Sequence, residues 1–74
     1  MSANNFKSER MRMGLTRKEV GERLGKSEAV IGRWERGEQS PSLFPDTVML
    51  AELYGCTIDY LCGLTSERVR VMTH

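Results

Sequence analysis

A chain of 74 residues with 39% hydrophobic and 28% charged content reads as one small soluble domain with a limited core. No apolar run approaches the roughly 20 residues that cross a bilayer, and the opening MSANNFKSER lacks the apolar stretch of a signal peptide. Net charge is only +1, yet residues 1–36 carry nine Lys/Arg against five Asp/Glu, and residues 37–74 carry two against five. A basic half facing a polyanion and a chance imbalance both fit that split.

In chain order, Phe6, Arg10 and Met13 share one helical face, which predicts a first helix from about Asn5 to Met13, ended by Gly14. Thr16 and Glu19 form a T-x-x-E capping box that starts a second helix. That helix buries Val20 and Leu24 and stops at Gly25 in a left-handed C′ position. Ser27 is a good N-cap for a third helix, which carries Ile31 and Trp34 inward and ends at Gly37. The segment EQSPS has turn chemistry. Ser42 can cap a fourth helix with Pro45 in its first turn. FPDTVMLAELYG is apolar on most sides, so this helix is expected to be central and closed by Gly55. Thr57 caps a short fifth helix over IDYLC, ending at Gly63. In the tail, Val69 and Val71 alternate with Arg68 and Arg70, which suits an edge strand or a frayed end, with the frayed end preferred. Cys56, Cys62 and the lone His74 make neither a zinc set nor a disulfide framework, and the cysteines read as small buried hydrophobes in a reducing cytosol.

The second and third helices are the informative pair. Gly25 permits a turn of about three residues that sets two helices at a steep angle, and Gly21 is the small residue expected where they nearly touch. On the third helix, Ser27, Ile31, Trp34 and Glu35 project to one side at 100° per residue, and Ala29, Gly32, Arg33 and Arg36 to the other. Small residues interleaved with arginine suit insertion into a nucleic-acid groove, where arginine supplies forked donors. An ordinary solvated face is the alternative, although such faces favour Glu, Lys and Gln over Ala and Gly. Arg10 lies on the apolar face of the first helix and Glu35 on the inward side of the third. Two isolated buried charges are each costly, so a buried Arg10–Glu35 ion pair is expected. Arg10 snorkelling to solvent is the competing arrangement.

The stretch GLTRKEVGERLGKSEAVIGRWERG resembles the Cro/repressor-type helix-turn-helix family, also called the xenobiotic-response-element family. The resemblance rests on Gly14, Leu15, Thr16, Leu24, Gly25, Ser27, Ile31, Trp34, Glu35 and Gly37, and continues through Pro41 and LAELYGCTIDYLCG, covering about residues 6 to 64. It implies an all-α, compact five-helix, lambda-repressor-like domain whose helix-turn-helix is helices 2 and 3, and it points to the same Arg10–Glu35 pair. The chain departs from the family at Arg17 and Glu28, where glutamine is usual, at Gly21, where alanine is usual, and at Gly32, where serine is usual. One residue is added between Pro41 and Ala51, and the loop after Gly37 is less basic than in many relatives.

By that resemblance, Arg17 meets a phosphate or base edge where the second helix crosses the DNA backbone. Lys26 and Ser27 flank the phosphate-favouring start of the recognition helix. Arg33 is the first choice for a bidentate guanine contact and Ala29 for a thymine methyl. Arg36 and Arg12 serve phosphates. Glu28 accepts from a cytosine amino group, repels phosphate, or only stabilises its own helix start. The implied partner is double-stranded DNA with two half-sites, bound by a homodimer formed in solution or only on DNA. The expected function is transcriptional regulation, as a repressor of phage or mobile-element type in the bacterial cytoplasm. Residues 1–64 form the DNA-binding domain, and residues 65–74 a tail available to a dimer contact. An antitoxin-like interaction module on the same fold is the alternative, favoured by an apolar patch around Leu64, Val69, Val71 and Met72. An enzyme is not expected, because no internal histidine, clustered carboxylate pair or Gly-rich phosphate loop is present. RNA recognition lacks its aromatic platform. No cofactor, metal, membrane or small-molecule ligand is implied.

Overall fold

Phe6–Arg12 (α1), Arg17–Leu24 (α2), Glu28–Arg36 (α3), Val48–Tyr54 (α4) and Ile58–Leu61 (α5) are the five helices of the computed structural model, which describes residues 4–69. The fold is all-α, with no strand among the described residues. The expected cap residues start α2, α3 and α5. Thr16 Oγ1 accepts from Glu19 N at 3.0 Å while Thr16 N donates to Glu19 Oε1 at 2.8 Å, which closes the capping box. Ser27 Oγ accepts from Val30 N, and Thr57 Oγ1 from Tyr60 N. Gly14, Gly25, Gly37, Gly55 and Gly63 all take positive φ at or just beyond the ends of helices.

Phe6, Val20, Ile31, Trp34, Leu50, Ala51, Tyr54 and Leu61 form the core. Each fully buried large side chain contributes about 1.5–3 kcal/mol, and five helices contribute to this one cluster. The start of α1 is fastened from behind by Asn5 Nδ2, which donates to the Tyr60 carbonyl, and by Asn5 N, which donates to the Leu61 carbonyl. Asn4 Nδ2 donates to the Trp34 carbonyl at 3.1 Å.

Several expectations need correction. Met13 is exposed, and Glu9 rather than Met13 is the further buried residue of α1. A helix that ends at Arg12 leaves Met13 in the turn, off the apolar face. Leu24 is only half-buried, and Ser27 is exposed because its side chain caps the helix instead of packing. Gly32 is buried rather than solvent-facing. The chain does not enter α4 through Phe44: residues Leu43–Thr47 make an irregular turn that is extended at Phe44, which is 76% exposed. Ser42 still caps this entry, accepting from Asp46 N. Cys62 is exposed and Cys56 half-buried, so the pair is not a buried one. The tail is neither strand nor frayed end as far as Arg68. Thr57 N donates to the Arg68 carbonyl, and the Arg68 guanidinium reaches Glu9 at 2.9 Å and the Tyr54 carbonyl at 2.7 Å. The expectations placed on Arg70, Val71, Met72 and His74 lie outside the described residues.

Candidate nucleic-acid interface

The turn between α2 and α3 follows from two glycines. Gly25 adopts φ 71°, and Gly21 O accepts from both Gly25 N and Lys26 N, a 6→1 closure that reverses the chain at once. A Cβ on Gly21 would fall onto the Lys26 carbonyl, so the close approach read from the sequence is real. Lys26 Nζ lies 3.7 Å from Asp46 Oδ2, which ties the turn to the entry of α4.

Helix α3 then shows two faces. Ile31, Gly32, Trp34 and Glu35 are buried, and Glu28, Ala29, Arg33 and Arg36 are exposed. The structure thus brings Ala29, Arg33 and Arg36 to one open surface, with Glu28 at its N-terminal end. Arg36 pairs with Glu38 (Nε to Oε2 2.9 Å), whose carboxylate raises the guanidinium pKa while its own falls. Both side chains are half exposed, so the pair is weak and exchangeable. The side chains of Arg33 and Arg12 are exposed and make no hydrogen bond or ion pair among the described residues. Arg12 ends α1 on a different element from the α3 face.

Below this surface lies the expected ion pair. Arg10 Nε donates to Glu35 Oε2 at 2.7 Å and Arg10 Nη2 to Oε1 at 3.3 Å, while Nη1 donates to the Leu15 carbonyl. The side chains are 12% and 1% exposed, so Arg10 does not snorkel. The same carboxylate takes a partner that sequence reasoning missed: Arg17 Nε donates to Glu35 Oε1 at 3.0 Å. Arg17 is therefore partly engaged with protein, with about a third of its side chain exposed. Lys7, Gly14, Thr16, Arg17 and Glu28 line a shallow basic cleft beside it. Also missed was the Glu9 cluster behind α1, where Arg68 and the Tyr60 hydroxyl both donate to Glu9. The Arg68 hydrogen bonds hold the Glu9 carboxyl below the usual carboxylate range, against the opposing effect of burial.

Among the described residues, no group of His, Cys, Asp and Glu is placed to hold a metal ion, and no helix is long and apolar enough to cross a membrane. No curated protein and no solved structure gave a match to the chain. A family model described as helix-turn-helix does match, over residues 6–44, which is just over half of the chain and runs from α1 through the α2–α3 unit. With the capped pair, the tight glycine turn and an arginine-bearing outer face on α3, the chain belongs to the Cro/repressor-type helix-turn-helix family of DNA-binding transcription regulators.

Proposed function

We propose that the protein is a sequence-specific binder of double-stranded DNA that represses transcription in the manner of small phage or mobile-element regulators. The observation that carries this reading is the outer face of α3. It offers Ala29, Arg33 and Arg36 to solvent while the opposite face is fixed in the core. In this reading Arg33, without a protein partner among the described residues, makes the bidentate base contact, and Ala29 allows close approach to the groove floor. Arg36 exchanges Glu38 for phosphate, and Arg12, Lys26 and Ser27 supply further backbone contacts. Glu28 faces the groove as an acceptor or as a repulsive element against wrong sequences.

The test is the salt dependence of binding to duplex DNA. With about four to six phosphates neutralised per dimer, the log–log slope is expected near −4 to −5. A flat response, or no binding to any duplex at low salt, refutes the reading. Arg33→Ala is expected to cost about 1–3 kcal/mol on a preferred sequence and to relax preference at one base pair per half-site. Arg36→Ala is expected to weaken all duplexes alike.

Exposed Leu64 and Val69 favour an association surface beside α5. We assign it to a second copy of the chain, which places two recognition helices on two half-sites. Truncation from residue 65 would also remove Arg68 and strand Glu9, so the suitable probe is Leu64→Ser. It is expected to reduce cooperativity on a two-half-site duplex and spare half-site binding. Stoichiometric capture of a different protein through Leu64 would favour the antitoxin-like alternative.

A further inference from the structure

We propose that Glu35 is a positioning residue for recognition: its carboxylate docks Arg17 by Nε and sets that arginine's two terminal nitrogens as a fixed fork over the middle of α3, along a path left open by Gly32. The inference rests on the reading of α3 as the DNA-facing helix, and concerns which residues give that surface its selectivity.

Arg10 uses all three of its nitrogens on the protein, two on Glu35 and one on the Leu15 carbonyl. The buried carboxylate is thus already balanced before Arg17 arrives. Arg17 adds a second cation to a single anion, so the cluster keeps a net positive charge, carried by its more exposed member. Arg17 spends only Nε on Glu35. Its Nη1 and Nη2 have no protein partner among the described residues. In a planar guanidinium docked through Nε, the pair of terminal nitrogens projects beyond the docking point, in the geometry that reads guanine or grips a phosphate bidentately.

The second half of the device is Gly32. Arg17 Cδ lies 3.8 Å, and Arg36 Nη1 3.1 Å, from the point where a Cβ on Gly32 would sit. Two arginines from different helices therefore converge over one missing side chain. A long flexible side chain loses rotamer freedom when a ligand orders it, and one already held at Nε loses less. Docking on Glu35 accordingly turns Arg17 from a diffuse positive charge into a reader of one orientation.

The test uses the full chain, a duplex that the wild type selects from a random-sequence pool, and an unrelated duplex of equal length. In the free protein, a scalar coupling across the hydrogen bond from Arg17 Nε to Glu35 Cδ is expected, with slow exchange of the Arg17 Nε proton relative to that of Arg33. Arg17→Lys keeps the charge, and Arg10 still balances Glu35, so the melting temperature is expected to shift by no more than a few degrees and unrelated-duplex binding to weaken less than binding to the selected duplex. Affinity for the selected duplex is expected to fall about tenfold. Gly32→Leu blocks the path and is expected to abolish the coupling and bring the same tenfold loss, with no further loss in the double variant. Absence of the coupling in the wild type, an Arg17→Lys variant that binds the selected duplex normally, or additive losses in the double variant each overturns the proposal while the DNA reading stands. If Gly32→Leu does not fold, the first two results decide. If the wild type selects no duplex, the DNA reading falls and this proposal with it.

Discussion

Glu9 and Arg10 are neighbours on α1, yet each belongs to a different half of the molecule. Arg10 points forward to Glu35 on α3, 25 residues away, and Glu9 points back to Arg68, 59 residues away. Both clusters bury a carboxylate against a guanidinium, and both add a hydrogen bond from that guanidinium to a backbone carbonyl, Leu15 in front and Tyr54 behind. They differ in their second partner. Glu35 recruits another cation, Arg17, at the edge of the candidate interface, whereas Glu9 recruits the neutral Tyr60 hydroxyl of α5. The front cluster therefore couples stability to the recognition surface. The rear cluster ties the segment after α5 to α1, away from the exposed face of α3.

The largest effect is expected at Glu35. Glu35→Leu strands buried Arg10 and releases Arg17, and breaking such a pair from one side costs about 3–5 kcal/mol. A domain of this size has a total stability of the order of 5 kcal/mol, so the variant is expected to be largely unfolded in a urea titration. Arg10→Met is expected to cost less, because Arg17 remains on Glu35. The double variant Arg10→Met with Glu35→Leu is expected to recover much of the loss. Equal costs for the two single variants would show that Arg17 adds nothing to the front cluster.

Behind α1, Arg68→Ala is expected to lower stability measurably but by less than the loss of a fully buried pair, because Arg68 keeps a quarter of its side chain exposed. DNA affinity of the folded fraction is expected to be unchanged. This cluster also has a pH signature. Arg68 lowers the folded-state pKa of Glu9 relative to the unfolded chain, so its contribution is full above the ordinary carboxylate pKa. It is lost as pH falls through the depressed folded value. The stability gap between wild type and Arg68→Ala is therefore expected to narrow in urea titrations run from pH 7 down to pH 3. A gap independent of pH would mean that Arg68 acts through the Tyr54 carbonyl alone.

The two clusters also differ in how far the sequence discloses them. Thr16, Glu19, Ser27 and Thr57 act within three residues of themselves, and the capping they predict is present. The Arg10–Glu35 pair is legible because each charge breaks an apolar helical face. Glu9 carries no such mark: beside Lys7, Ser8 and Arg10 it resembles any solvated charge, and its partner follows a segment without regular structure. Gly32 sits about 100° from Ile31, at the border of the inward face. A single-helix projection assigns it to solvent because one of the two arginines that cover it, Arg17, comes from α2. Phe44 misleads for a related reason, since its apolar neighbours suggest a helix that the chain enters only after Pro45.

The front half can be divided further at its two buried helix glycines, where the expected effects are smallest and opposite in sign. Alanine in place of glycine inside a helix gains up to about 1 kcal/mol when nothing opposes it. At Gly21 the added methyl meets the Lys26 carbonyl, a backbone atom locked in the turn whose own amide donates to Gly21 O. Relief requires opening the turn between α2 and α3, and overpacking of this kind costs about 1–3 kcal/mol. Gly21→Ala is therefore expected to lower stability by about 1 kcal/mol net, even though the resembling family commonly has alanine there. At Gly32 the nearest atom is Arg36 Nη1, the far end of an exposed side chain, and Arg17 Cδ is at ordinary contact distance. Arg36 swings aside at little cost, so Gly32→Ala is expected to raise the melting temperature by a few degrees. Thermal melts of the two variants decide the matter. A rise at both positions would mean that the turn yields more readily than its hydrogen bonds indicate. A fall at both would mean that the convergence of Arg17 and Arg36 over Gly32 is as tightly packed as the turn itself.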